Sequence, residues 1–411
     1  MALRPPPTVD PFPAYPRNAS KEFVIITKRK GLAAAGVVAL IAAGSAACGT
    51  AQATPQAKVQ KAVTKLGEQK SATVGLSFDA TPDQIYAAFT SGDSNSGFTR
   101  DDAKMVASLH VSMSASTQKQ FSLLKSRSGA SGGRFAFALS NDPDGKSNLI
   151  EMRGLDNKLY LRADVKGLEK LDTSPNAASD LREFNQFLGN AQQLPSSLHA
   201  VKAALNGQWV VLDPKAWTDF AKSMAQKNGA SGFGSGDSSG SPLGGALNGQ
   251  MPKIDGGRLL AVLKQDILNN KDATYKDVGK KDGASVVRVT VPARKLAKDL
   301  ATDLTPILKQ IPNISQSDLN NFNDTSGVPN RTIAFDVSVK SGHVSAVTFD
   351  LEQLDDQANG KKLPVTLTID NSADSLDVPA GADQLNPQDI IGMIMQNMPN
   401  GPSDASYSGL N

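Results

Sequence analysis

The chain has 411 residues, 39% hydrophobic and 20% charged, with aromatics at 5%, a composition ordinary for a soluble protein with a sizeable core. Its formal charge of +3 comes from the leader, where Arg4, Arg17, Lys21, Lys28, Arg29 and Lys30 face only Asp10 and Glu22. The rest is close to neutral with mixed signs, which excludes an electrostatic footprint for nucleic acid.

Residues 1–47 read as a leader. Lys28-Arg29-Lys30 is a positive n-region, residues 32–43 are an apolar run, and Gly44-Ser45-Ala46-Ala47 are small residues ahead of Cys48-Gly49. That is the three-part form of a secretory signal. The run is shorter than the roughly 20 residues that span a bilayer as a helix, although 31–47 as a whole is long enough for an uncleaved anchor. Residues 1–23 are Pro-rich and precede the n-region, so they read either as an overextended start, with translation beginning near Val24, or as a long n-region.

Cys48 is the single cysteine of the chain, so no internal disulfide is available to it. Ala46, Ala47 and Gly49 around it resemble the lipobox of bacterial lipoproteins, whose cysteine carries a diacylglyceryl thioether and becomes the mature N-terminus. Ser45 departs from the usual Leu. The competing reading is a chance cysteine beside a general export site at Ala51-Gln52-Ala53.

Residues 48–57 form a tether. Val59, Ala62, Val63 and Leu66 recur at helical spacing, which predicts one amphipathic helix over 55–70. Period-2 alternation then predicts strands at Val74, Leu76 and Phe78, over 105–113 and over 135–139, with a turn at Asp142-Pro143-Asp144-Gly145. Residues 149–153 and 158–162 flank a turn at 154–157, a hairpin pattern, and Trp209 begins a short strand ending at Asp213-Pro214. Helices are predicted over 180–205, 215–225, 259–268 and 296–311. Further strands fall at 285–291, 332–339, 344–351 and 364–369, two of them joined at Lys340-Ser341-Gly342-His343. Residues 228–250 are Gly/Ser-rich and read as a disordered insertion within one domain in preference to a linker between two, and 386–411 as a flexible tail with a helix candidate at 390–398.

Strands with helices laid to one side give an α+β architecture: a curved, mostly antiparallel sheet, a half-barrel, with helices over its concave apolar face. That face carries Phe135, Phe137, Ile333, Phe335, Val337, Val347, Phe349, Val365, Leu367 and Ile369. The other carries Thr332, Asp336, Ser338, Thr348, Asp350, Thr366 and Thr368.

The order of elements resembles the actinobacterial LppX/LprAFG-like lipoproteins, of the LolA-like half-barrels. The match runs through the lipobox, the helix Val59 to Leu66 and its following strand. It continues through Lys158-Leu159-Tyr160-Leu161, Gly207-Gln208-Trp209, a helix with Leu259, Leu260 and Leu263, the segment 281–289, and two closing strands. It covers roughly 58–378, with insertions near 90–102, 114–133 and 228–250, inside one domain over 58–385. The resemblance implies an apolar cavity for acyl chains of lipids or lipoglycans, and it transfers no catalytic or binding residue.

No catalytic chemistry is expected. His110, His199 and His343 have no metal-ligand neighbours at useful spacing, and no G-x-S-x-G elbow is present. Asp142 opens half a calcium loop, but Arg153 stands where its last carboxylate belongs, so a plain turn is the expectation. Gly232 to Gly236 lacks the lysine of a phosphate loop. Trp209 and Trp217 read as core residues before sugar platforms. No cofactor and no metal is expected. The function expected is a non-enzymatic envelope lipoprotein, anchored on the outer face of the cytoplasmic membrane, that binds or transfers a lipid or lipoglycan. The alternative is an envelope scaffold with a filled core. An apolar sheet face looks alike whether it contacts helices or acyl chains, so both readings stand at this stage.

Cys48→Ala is expected to release the protein from the membrane fraction or to leave its precursor uncleaved, because two or three acyl chains at about 0.8 kcal/mol per buried CH₂ hold a protein where one chain does not. Fractionation with mass determination of the mature form checks this. A normally processed mutant that stays with the membrane rules Cys48 out as anchor.

Overall fold

The computed structural model describes residues 54–90, 97–123, 133–142, 147–171, 198–217, 264–309, 314–355, 360–371 and 376–389, with isolated positions between 179 and 262. The leader, Cys48, the Gly/Ser-rich stretch 228–250 and the helix candidate 390–398 lie outside them.

Helix α1 (Pro55–Gly67) starts where Thr54 accepts from the Ala57 N–H and Pro55 supplies a pre-set φ. Its Val59, Ala62, Val63 and Leu66 are buried, the stripe predicted from their spacing. Strand β1 (Ser71–Phe78) follows, then α2 (Pro82–Phe89) and α3 (Arg100–Ser108). Both helices open with reciprocal capping boxes, Thr81 with Gln84 and Thr99 with Asp102. The strand expected over 105–113 is therefore corrected: its first half is α3. The Thr99 cap and the burial of Ala103 win over the alternation of Met105, Ala107 and Leu109, and the chain turns extended only at Leu109.

Next come β2 (His110–Ser116), β3 (Arg134–Ser140), β4 (Asn148–Leu155), β5 (Lys158–Ala163), α4 (Val165–Glu169), α5 (His199–Leu205) and β6 (Val210–Leu212). Residues 264–268, expected as the end of an α-helix, form a π-helical turn, Lys264–Leu268. Strands β7 (Thr274–Lys281) and β8 (Ala284–Pro292) lead into α6 (Ala293–Leu308), and α7 (Gln316–Asn323) follows. Strands β9 (Thr332–Lys340), β10 (His343–Asp350) and β11 (Pro364–Asp370), with the two-residue β12 (Asp383–Gln384), complete the set. Three hairpins turn on two residues with positive φ: Asp156-Asn157, Asp282-Gly283 and Ser341-Gly342. Turns of that hand match the twist of the strands they join.

Among the described residues, twelve strands share one open sheet in the order β12-β6-β5-β4-β3-β2-β1-β11-β10-β9-β8-β7. Every pairing is antiparallel except β12 with β6. The sheet curls strongly. The Lys281 ammonium at the β7–β8 tip lies 3.9 Å from the Asp79 carboxylate beyond β1, although five strand spacings, about 24 Å in a flat sheet, separate β7 from β1. The result is an α+β half-barrel. Strand β7 forms one edge, with a bulge between Asp277 and Gly279 and with Lys276, Lys280 and Lys281 exposed.

The main core lies between β7–β11 and α1, α6 and the π turn. It contains Val287, Val289, Phe335, Val337, Val347, Phe349 and Leu367 from the sheet, and Leu66, Leu296, Leu300 and Leu304 from the helices. A smaller cluster ties α2 and α3 to Phe78 and Leu363. Another packs Ala203 of α5 on Leu159, Val210 and Leu212. Leu367 is wholly buried at the centre of the sheet. Leu367→Ala is expected to cost about 2–5 kcal/mol through lost transfer energy and a residual cavity. Urea denaturation with an unchanged m-value checks this.

Candidate functional site

Paired residues of antiparallel neighbours point to the same side of a sheet, so the register traces one face across the whole molecule. One row runs Val287, Val337, Val347, Leu367, Leu76, Val111, Leu139 and Ile150. A second runs Ile369, Val74, Met113, Phe137, Met152, Leu161 and Val210. A third runs Ala72, Ala115, Phe135, Gly154, Leu159 and Leu212. The face is apolar from β8 to β6.

Its burial is not uniform. Beneath α1 and α6 the residues of β8–β11 are nearly inaccessible: Val337 is 2% and Val347 1% exposed. From β1 to β5 the same face is half-buried at Val74, Leu76, Val111, Phe135, Phe137, Leu139, Ile150, Met152 and Leu161, and Met113 is 55% exposed. At β5 and β6 the face is covered again by α5, where Leu159, Val210 and Leu212 are buried. An apolar strip about 19 Å wide, four strand spacings, thus lies between two covered ends.

The ten apolar residues predicted as the ligand face all lie on this side of the sheet, but the structure separates them. Ile333, Phe335, Val337, Val347, Phe349, Val365, Leu367 and Ile369 are buried; all of these except Val365 belong to the packed core under the helices. Phe135 and Phe137 lie on the half-buried strip. The strip residues of β1, β2, β4 and β5 escaped sequence reasoning as a site, because registering them needs the pairing of β1 with both β2 and β11.

Phe135 has a specific seat. A side chain on its cross-strand partner Gly154 would place a Cβ 1.8 Å from the Phe135 ring, so the ring lies directly over the glycine. Glycine inside a strand often marks such close approach.

The opposite face differs in kind. It carries an open groove of roughly 740 Å³ whose mixed lining includes Thr73, Ser77, Ser112 and Thr368 together with Leu76, Val111 and Ile369. Further along that face, Glu151 is 6% exposed and accepts hydrogen bonds from Asn148, Arg153 and Arg162. The two guanidinium groups lie 4.8 and 5.4 Å from the Trp209 ring centre. Trp209 thus serves as a brace, while the Trp217 indole N–H donates to the Leu385 carbonyl. His110 and His343 line this groove and His199 opens α5. Among the described residues, no group of three or more His, Cys, Asp or Glu side chains is placed to hold a metal. No described helix is long and apolar enough to cross a membrane.

No known family profile matches the chain, and no curated protein matches it. Among solved structures, the chain is similar to the crystal structure of LprF from Mycobacterium bovis. That likeness has 11% sequence identity and a TM-score of 0.31, and covers 80% of this chain and 97% of that one. Similarity at this level assigns neither family nor activity.

Gly154→Ala is expected to destabilise the protein by about 1–3 kcal/mol, because the new methyl must displace the Phe135 ring. Combining it with Phe135→Leu should cost less than the sum of the two single changes. A double-mutant cycle from denaturant melts measures the coupling, and strict additivity would contradict the seat described.

Proposed function

We propose that the protein is an exported envelope lipoprotein, held at the outer face of the cytoplasmic membrane through Cys48, that binds acyl chains of a lipid or lipoglycan on the strip from β1 to β5. It acts by binding or transfer and not by catalysis. One observation carries this reading: a single apolar face is packed at both ends and half-exposed between them. Contiguous exposed apolar surface beyond a few hundred square ångströms is uncommon on a monomer and marks a binding surface. Flexible Met113 and Met152 and the flat Phe135 and Phe137 suit a ligand with variable chains. The site is therefore proposed on β1–β5, beside the helix-covered part of the sheet and not beneath its helices.

The packed half supports a second reading. Phe335 and Val337 are 5% and 2% exposed, as in an envelope scaffold with a filled core, whose strip would take a protein partner.

Uptake of cis-parinaric acid by the full chain, together with mass spectrometry of its organic extracts, separates the two. Met113→Glu is expected to lower uptake at least about tenfold, the equivalent of roughly 1.4 kcal/mol, since a carboxylate in the acyl path must be desolvated. Its stability should move little, because Met113 is more than half exposed. Val337→Trp, in contrast, should overpack the core, costing about 1–3 kcal/mol without a matching loss of uptake in the folded fraction. No co-extracted lipid and no uptake by the wild type would leave the scaffold reading.

A further inference from the structure

Asp266 occupies the π turn between Lys264 and Leu268 and is only 6% exposed. Its Oδ2 is buried without a hydrogen-bond partner. An orphaned buried carboxylate oxygen needs an explanation, because desolvating a charge with no partner is expensive. Ile267 and Leu268, the next residues, belong to the main core, which holds the turn in place.

The one cation acting on it, Lys295, offsets the surrounding negative charge only in part. Helix α6 presents Lys295, Asp299 and Asp303, each four residues apart and so on one face. Lys295 is already engaged by Asp299 at 2.8 Å and Asp272 at 3.6 Å. Asp303 stands in the C-terminal half of α6, where the helix dipole disfavours an anion. From β7, Tyr275 donates its hydroxyl to the Ile267 and Leu268 carbonyls, and burial pushes its ionisation up to about 12, so it stays neutral. From α1, Gln60 donates to the Leu268 carbonyl, and Lys58 pairs with Asp277 at 2.7 Å. Lys264 and Lys271 flank the turn in sequence, and among the described residues neither forms an ion pair with Asp266. Asn270 bonds the Asp266 backbone carbonyl and not its carboxylate.

We propose that Asp266 is an acid-set clasp: protonated, its buried carboxyl lets the π turn pack against α6, and ionised it loosens the turn. Burial, then Asp303 and Asp299, raises the Asp266 carboxyl to about 6. The folded chain therefore binds this proton more tightly than the unfolded chain does. The stabilisation is complete below about pH 4 and is lost as the pH rises through about 6. The device regulates how firmly the π turn and Val262 are held in the core, and it is independent of whether a lipid occupies the strip.

Hydrogen exchange of the full chain, followed by mass spectrometry between about pH 5 and pH 8 and corrected for intrinsic rates, tests the clasp. Peptides across 261–275 are expected to lose about tenfold in protection over that range. Asp266→Asn keeps the shape and cannot ionise, so it should hold the acid level of protection throughout. Asp303→Asn should move the midpoint down. A flat wild-type profile, an unchanged pH dependence in Asp266→Asn, or a loss of protection in that variant at every pH would overturn the proposal. Where Asp266→Asn does not fold, carboxyl carbon titration of wild-type Asp266 decides: a midpoint near pH 6 upholds it and one near 4 overturns it.

Discussion

Register is the constraint on which this structure rests. Side chains alternate with a period of two, so a slip of one residue in any strand would send its apolar set to the polar face. The rows through Val347, Leu367 and Leu76, and through Val74, Met113 and Phe137, hold across many strands without a break. Where spacing would fail, an extra residue restores it. The bulge at Ser345 lets both Val344 and Val347 reach the core although they are three positions apart. Two-residue turns with positive φ fix the register locally in the three hairpins.

Once the face is continuous, the helices decide what it does. Helix α1 and helix α6 have narrow apolar stripes, and each covers a few strands. They complete a core over β7–β11, and α5 completes a second over β5 and β6. The intervening strands carry the same residue types without the same burial. The proposed binding strip is thus defined by uneven coverage of a uniform surface. On the polar side, Glu151, Arg153, Arg162 and Trp209 tie β4 to β5 behind the strip.

Much of this was legible in the sequence for physical reasons. Strong alternation gave β1, β3, β4, β8, β9, β10 and β11, and the 3.6-residue spacing gave α1 and α6. Helices α2 and α7 escaped periodicity because they are eight residues long. Their capping boxes, Thr81 with Gln84 and Ser315 with Asp318, were nevertheless readable signals. Strand β7 was missed because it is an exposed edge, with no buried face to impose alternation. The proposed strip was only half legible: Phe135 and Phe137 were among the expected face residues and lie on it, yet nothing local distinguishes them from Phe335 or Val337. Coverage by a distant helix is a tertiary property, and composition along one strand does not encode it.

An open sheet leaves edges, and an edge strand is a template on which another chain can pair. This one ends in the two-residue β12 on one side and in β7 on the other. The bulge between Asp277 and Gly279 breaks the run of available backbone groups on β7, and Lys276, Lys280 and Lys281 place like charges where a second copy would dock. The lysines of β7 therefore oppose edge-to-edge pairing of two copies of this chain.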